Sequence, residues 1–399
     1  MTRSTASAPH RIVVLGAGYA GMTAALRVAR RTRGRDTRVV LVNATARFTE
    51  RLRLHQTAAG GELTDFRIPE LVAGAGVEFV EGWATAIDAE RREIALSTAE
   101  GGRTVAYDTL VYALGSATDT TTVPGIEEHA FTLNGQDAAE RLAARLAELD
   151  AAGGGTVTVS GSGLTGVEAA AEIAESHPAL RVVLLGREQP GSMTGPKAKA
   201  YLDAALARLG VEVRAGVEVA KVLPDGIELA GGELLPSDAS VWTAGVRVSP
   251  LAAEAGLATD DRGRVLTEPS LRSTSHPEVW AIGDAAAVRQ SYGVLHGTCQ
   301  SGIPTGMHAA DQIARTLRGG AAKPFRFGHL HQPVSLGRHD GVIQFTRPDD
   351  TPRGACLTGR RAVAYKEFVS STPPKTYRLL TRFPVPSTMM WTRGGRRNG

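Results

Sequence analysis

The sequence predicts an α/β protein carrying two parallel-sheet units. Three observations predict it. A strand–glycine–helix–strand order occurs twice, two glycine-rich fingerprints share one spacing, and the flanking runs are short and β-branched, as in buried parallel strands.

The first unit begins at Arg11–Leu15 (RIVVL), passes Gly16, continues through an Ala-rich helix expected over Met22–Arg30, and returns in Arg38–Val42 (RVVLV). The second repeats that order: Thr156–Ser160 (TVTVS), Gly161, a helix through Glu175, then Arg181–Leu185 (RVVLL). Gly16 and Gly161 are 145 positions apart, which makes this an internal repeat. Between the units, Gln136–Leu149 has the pattern of an amphipathic helix, and Gly153–Gly155 reads as a linker or turn.

Composition bounds the function. A chain of 399 residues with 42% apolar content can bury a large core and divide into two or three domains. Residues 1–11 have no apolar core of a secretory signal, and no apolar run approaches the ~18–20 residues that span a bilayer. Cys299 and Cys356 are the only cysteines and lie far apart, which excludes a disulfide scaffold, a CxxC redox pair and a cysteine zinc site. The expectation is a cytoplasmic protein with no metal site. Charge is uneven. Residues 360–399 hold nine basic side chains against Glu367, so that segment carries +8 and the remainder −4. Such a tail can meet anionic lipid or an acidic protein, or simply be a solvated terminus. It lacks the interleaved aromatics of a single-strand binder, so no nucleic acid is expected.

The glycine motifs carry the chemistry. In Gly16-Ala17-Gly18-Tyr19-Ala20-Gly21 the first glycine allows a tight turn, the second leaves room for a pyrophosphate, and the third lets helix and strand pack. Its position after a strand and at a helix start is the context that gives the spacing meaning. A carboxylate is expected at the end of the second strand to meet ribose hydroxyls; Asn43 stands there, able to accept without charge assistance, or to serve only as a turn residue. Gly161-Ser162-Gly163-Leu164-Thr165-Gly166 repeats the phosphate logic. After its second strand comes Arg187 in place of a carboxylate, which suits a 2′-phosphate and tilts the nucleotide towards NADPH. A register slip of two would put Glu188 on the ribose instead.

Three further segments complete a resemblance. Asp108–Gly115, Ala239–Val246 and Val279–Ala285, with both fingerprints, are similar to the motifs of pyridine nucleotide-disulfide oxidoreductases, and within them of type II NADH dehydrogenases. The match runs over residues 11–320. It implies two nested Rossmann-like dinucleotide-binding domains (glutathione-reductase-like) plus a small C-terminal region. The FAD domain is expected at 1–122 and 247–325, the NAD(P)H domain at 123–246, and the C-terminal domain, a candidate acceptor-site cover, at 326–399. The resemblance implies FAD contacts at Gly16, Gly18, Tyr19, Ala20, Gly21, Asn43, Arg53, Ala84, Ala113, Gly115, Gly283, Asp284, Thr298 and Cys299. It implies NAD(P)H contacts at Gly161, Gly163, Leu164, Thr165, Gly166, Arg187 and Gly245. Asp284 is expected on a ribityl hydroxyl, and a helix beginning near Gly302 is expected to aim its positive end at the flavin. Glu168 and Lys366 match a glutamate and a lysine that face the reacting rings, with a first-turn carboxylate and a surface lysine as the plain alternatives.

The implied activity is hydride transfer from NAD(P)H to flavin and onward to a small-molecule acceptor, a quinone first among them. Pro304 and Thr305 stand where those dehydrogenases carry paired glutamines, a departure that bears on the quinone. Other expectations stay open: a reductase or oxidase dedicated to a biosynthetic route, a reductase of a ferredoxin-type protein docking the basic tail, and a flavin-binding redox sensor. The region from Phe325 shows no long amphipathic helix, since Pro384 and Pro386 interrupt the apolar stretch at Tyr377–Trp391, so membrane contact is a minor expectation. A homodimer is the usual assembly for such folds.

Overall fold

The structure, a computed structural model, describes residues 8–380, without the side chains of residues 378–380. Arg382, Arg393, Arg396 and Arg397 of the basic tail, and Phe383, Met389, Met390 and Trp391, lie outside the described residues.

The first fingerprint sits in a five-stranded parallel sheet ordered Val279–Ala281, Thr109–Tyr112, His10–Leu15, Thr37–Asn43 and Val77–Glu81. The second sits in a matching sheet ordered Ala130–Thr132, Ala239–Trp242, Gly155–Ser160, Leu180–Gly186 and Glu212–Ala215. In each, the strand before the glycines lies centrally, between the strand that follows its helix and the strand of the later exit motif. Such strands are covered on both faces, which is why they read as continuous apolar runs. Each unit adds a three-stranded antiparallel sheet, Trp83–Ala106 in one and Val219–Pro236 in the other. The chain passes between the units through Ser116–Thr118 and returns through Val246–Val248, and these two passages pair antiparallel.

Helices depart from expectation at their ends. The first begins at Tyr19, directly after Gly18, and not at Met22. The helix expected near Gly302 begins at Cys299, because Thr298 and Ser301 form a reciprocal capping box. The larger correction is C-terminal. After a three-stranded sheet (His331–Ser335, Gly341–Thr346, Pro352–Thr358), residues Gly359–Leu380 form a 22-residue helix. Ala362, Lys366, Ser370, Pro373 and Tyr377 make its buried stripe, at helical spacing. Lysine, serine and proline on the inward face hid the pattern that hydropathy would show.

Two cores matter for the site. One joins the first sheet to Phe325, Phe327 and Tyr377. The other surrounds the second sheet but also takes in Leu54 and Ala58 from the first unit and Val334, Leu336 and Val342 from the C-terminal sheet. That shared core brings Lys366 to the second glycine helix. Among the described residues no helix is long and apolar enough to cross a membrane.

Candidate functional site

The two glycine loops have the same steric design. A Cβ on Gly16, whose φ is +104°, would lie 2.4 Å from the Ala113 carbonyl oxygen, and one on Gly21 would lie 1.8 Å from the Gly16 carbonyl oxygen. Gly161 (φ +122°) and Gly166 are closed likewise, at 2.6 Å from Thr243 Oγ1 and 1.7 Å from the Gly161 carbonyl oxygen. Gly18 and Gly163 are different: nothing lies within 4 Å of a Cβ on either. The first and third glycines are filled by protein, and the second faces open space. Neither following helix has a side-chain cap, so its first-turn N–H groups are left for a ligand. A nucleotide diphosphate fits both cradles on these grounds.

Asn43 stands at the end of its strand, as expected, with its amide engaged. Its Oδ1 accepts the Ala17 N–H at 2.9 Å and its Nδ2 donates to the Thr45 carbonyl at 2.8 Å. Beside the second loop lies a cleft of about 760 Å³, lined by Gly161, Gly163, Leu164, Arg187, Glu218 and Gly245 among others. Thr165 is exposed on the first helical turn. Arg187 is mostly exposed and pairs with Glu218. Glu188 also lines the cleft, accepting a hydrogen bond from Ser192 Oγ at 2.8 Å while its carbonyl accepts one from Ser162.

The late motif packs onto the first loop. The Gly283 N–H donates to Thr305 Oγ1 at 3.0 Å, and a Cβ on Gly283 would meet the Ala20 methyl at 3.2 Å. Asp284 accepts Ser116 Oγ at 2.7 Å, next to Gly115, and Gly297 lies so close that a Cβ there would be 2.4 Å from the carboxyl carbon. Thr298 caps the helix of Cys299, whose thiol burial pushes up to about 12, aided by the Asp284 charge. Such a thiol stays protonated and inert. Cys299 and Cys356 are both free and lie against different cores. Gln300 ties the helix start to the C-terminal segment, donating to the His331 carbonyl at 2.8 Å and accepting the Leu330 N–H at 2.7 Å. Pro304 and Thr305 are buried inside the helix.

Glu168 and Lys366 come together. Lys366, 8% exposed, is no surface lysine: its ammonium bonds Glu168 Oε1, which also accepts the Ser335 N–H at 3.0 Å. His55 Nδ1 lies 3.9 Å from Glu168 Oε2. Burial, with the Lys366, Arg338 and Arg53 charges, holds the His55 pKa well below its usual value, so the ring is neutral. Sequence reasoning missed His55 and also Glu172 and Glu175, which share the Glu168 helix face at i+4 and i+7. Glu172 is 1% exposed, 3.6 Å from Arg338, and burial pushes its pKa up to about 7. Glu175 accepts the Arg338 N–H at 2.5 Å. The carboxylate spacing was the available signal. Arg53 bridges Gln56 (3.0 Å) and Glu367 (3.4 Å), with buried Glu50 at 3.7 Å. Ala84 is buried opposite Leu96 in the Trp83–Asp88 strand.

Known proteins resemble this chain in sequence and in fold. An NADH dehydrogenase-like protein of Mycobacterium tuberculosis is 37% identical over 330 residues, covering 77% of this chain and 80% of its own. A type II NADH:quinone oxidoreductase of Staphylococcus aureus is 26% identical over 391 residues, covering 90% and 94%. The structure of NDH2 from Plasmodium falciparum in complex with NADH superimposes with a TM-score of 0.79 at 14% identity, covering 93% and 97%, which speaks to fold alone. The family model described as pyridine nucleotide-disulphide oxidoreductase matches residues 10–312. The chain therefore belongs to the pyridine nucleotide-disulphide oxidoreductase family, as an NAD(P)H oxidoreductase with no cysteine pair to relay electrons.

Proposed function

We propose that this protein is an FAD-dependent NAD(P)H:acceptor oxidoreductase whose acceptor is a quinone or a related small aromatic oxidant. The observation that carries the reading is the pair of cradles in which only Gly18 and Gly163 face open space, one for each dinucleotide. The chemistry that a bound flavin would supply is hydride acceptance from the nicotinamide and onward electron transfer. The chain's own residues bind and orient. The first loop and Asp284 hold FAD; the second loop and its cleft hold the nicotinamide nucleotide. Arg187, at the adenosine end, is the contact that favours NADPH through a 2′-phosphate.

The N-terminal end of the helix beginning at Cys299, next to Asp284, would favour negative charge on a bound flavin. Glu168 and Lys366 form one buried unit: the ammonium neutralises the carboxylate, and the Ser335 N–H fixes its orientation. In this reading Glu168, held in place by Lys366, would be the carboxylate nearest the bound nicotinamide. The quinone assignment rests on relatives whose names carry that activity, one of them a demethylphylloquinone reductase of Synechocystis that is 27% identical over 374 residues.

Anaerobic mixing of the flavin-loaded protein with NADPH or NADH tests this. Flavin bleaching within about a second, then reoxidation by a soluble quinone faster than by oxygen or ferredoxin, is the expected result. A flavin that stays oxidised would place the protein among redox sensors.

A further inference from the structure

We infer that His296, His329 and Asp350 form a binding site for one divalent transition-metal ion of the zinc class. The three come from separate segments: the loop before the Cys299 helix, the stretch before strand His331–Ser335, and the turn between the last two strands. One ligand atom from each lies within 4.8 Å of the other two. His296 Nε2 is 3.1 Å from Asp350 Oδ2, and His329 Nδ1 is 3.8 Å from Asp350 Oδ1.

The second distance is the informative one. It is too long for a hydrogen bond, yet close to the ~3.3 Å between neighbouring ligand atoms of a tetrahedral ion with bonds of about 2.0–2.1 Å. Asp350 Oδ1 is buried and makes no hydrogen bond, and the same is true of Gln332 Oε1. Two buried acceptors left unpaired on two hydrogen-bonded side chains are costly. A cation answers the first, and a water on that cation answers the second. The other atoms are already committed to support: Gln332 Nε2 donates to Asp350 Oδ2 at 3.0 Å, as an outer-shell partner does for a ligating carboxylate.

Backbone geometry points the same way. Asp350 has a φ of +66°, and its N–H is bonded to the Arg347 carbonyl at 2.9 Å, so the turn presents the carboxylate inward. His329 is buried and wedged edge-on against Phe327, with ring centroids 4.9 Å apart. His296, by contrast, is 59% exposed and stacks on His329. Its Nε2 already faces Asp350, so a small turn of this exposed ring would bring that nitrogen to the ion without disturbing the core. Two imidazoles and one carboxylate select zinc, cobalt or a similar ion over magnesium or calcium, which take oxygen ligands. The bound ion would staple the C-terminal sheet to the loop that leads into the Cys299 helix, with one coordination position open to solvent.

The test uses the full-length flavin-loaded protein, treated with chelator and titrated with Co²⁺ by visible absorption and with Zn²⁺ by calorimetry. One equivalent per chain is expected, with a tetrahedral Co²⁺ spectrum. Affinity should fall at least tenfold in both His296→Ala and Asp350→Asn and stay unchanged in His339→Ala, an exposed histidine outside the site. His296→Ala removes an exposed ring, so its fold, checked by circular dichroism, should be retained. Absence of stoichiometric binding, full affinity in either ligand variant, or equal loss in His339→Ala would overturn the assignment.

Discussion

Lys366 and Glu168 are 198 positions apart in sequence and joined by a buried ion pair. One comes from the C-terminal helix and the other from the helix after the second glycine loop, so this contact ties the C-terminal helix to the second unit.

Breaking one side of that pair leaves an uncompensated charge. Lys366→Met should destabilise the protein by about 3–5 kcal/mol, read as a shift in urea midpoint. The double variant Lys366→Met with Glu168→Gln should recover most of that loss, because no buried charge remains. If the single and double variants are equally unstable, the pair is not what the lysine contributes.

Glu168→Gln keeps the shape and the Ser335 contact while removing the charge. The rate of flavin reduction by NAD(P)H in stopped flow should drop about tenfold or more. An unchanged rate would remove Glu168 from the catalytic set.

The cradle glycines should separate binding from folding. Gly163→Val points a side chain into space and should fold normally while losing NAD(P)H affinity by about tenfold or more. Gly166→Ala instead drives a methyl into the Gly161 carbonyl and should cost about 1–3 kcal/mol of stability. Gly18→Val should likewise yield a folded protein poor in FAD.

Nucleotide choice should answer to Glu218. Its carboxylate holds Arg187 and would repel a 2′-phosphate. Glu218→Gln should raise the NADPH-to-NADH ratio of kcat/KM by about tenfold, the value of one freed charge-assisted contact, and Arg187→Ala should lower it.

Glu172 gives a pH signature. Its pKa rises from an ordinary 4.5 to about 7, mainly by burial, which Arg338 and Lys366 oppose and Glu175 and Glu168 reinforce. Between these values the folded protein holds a proton that the unfolded chain releases, so stability falls as pH rises through the window. The loss is about 3 kcal/mol if the group acts alone. Unfolding measured at pH 5 and pH 8 should show it, and Glu172→Gln should flatten the slope.

Much of the fold was legible because it depends on local rules. Strands such as Ile12–Leu15 and Val182–Leu185 are buried on both faces and must be apolar throughout, and the glycines must be glycines where a Cβ meets backbone. The Cys299 helix start was missed because its box uses Ser301 where Glu or Gln is the usual sign. The last helix was missed because Lys366 and Ser370 face inward, and a buried lysine is readable only once its carboxylate is known. Lys366 reached the candidate list through family likeness and not through pattern. His296, His329 and Asp350 carry no ligand spacing along the chain, since their meeting is wholly a product of tertiary packing.

The hydrogen-bonded passages Ser116–Thr118 and Val246–Val248 enter and leave the second unit together. Its two ends are neighbours at a single neck, further tied where the Asp119 N–H meets the Gly245 carbonyl at 3.3 Å and Trp242 donates to the Asp119 carbonyl at 3.1 Å. Excising the intervening chain would leave two stumps already lying side by side, but it would also bare Leu54, Ala58, Val334, Leu336 and Val342, which share that unit's core. Any swing of that unit must twist both passages together, which makes the neck a pivot rather than a pair of independent tethers.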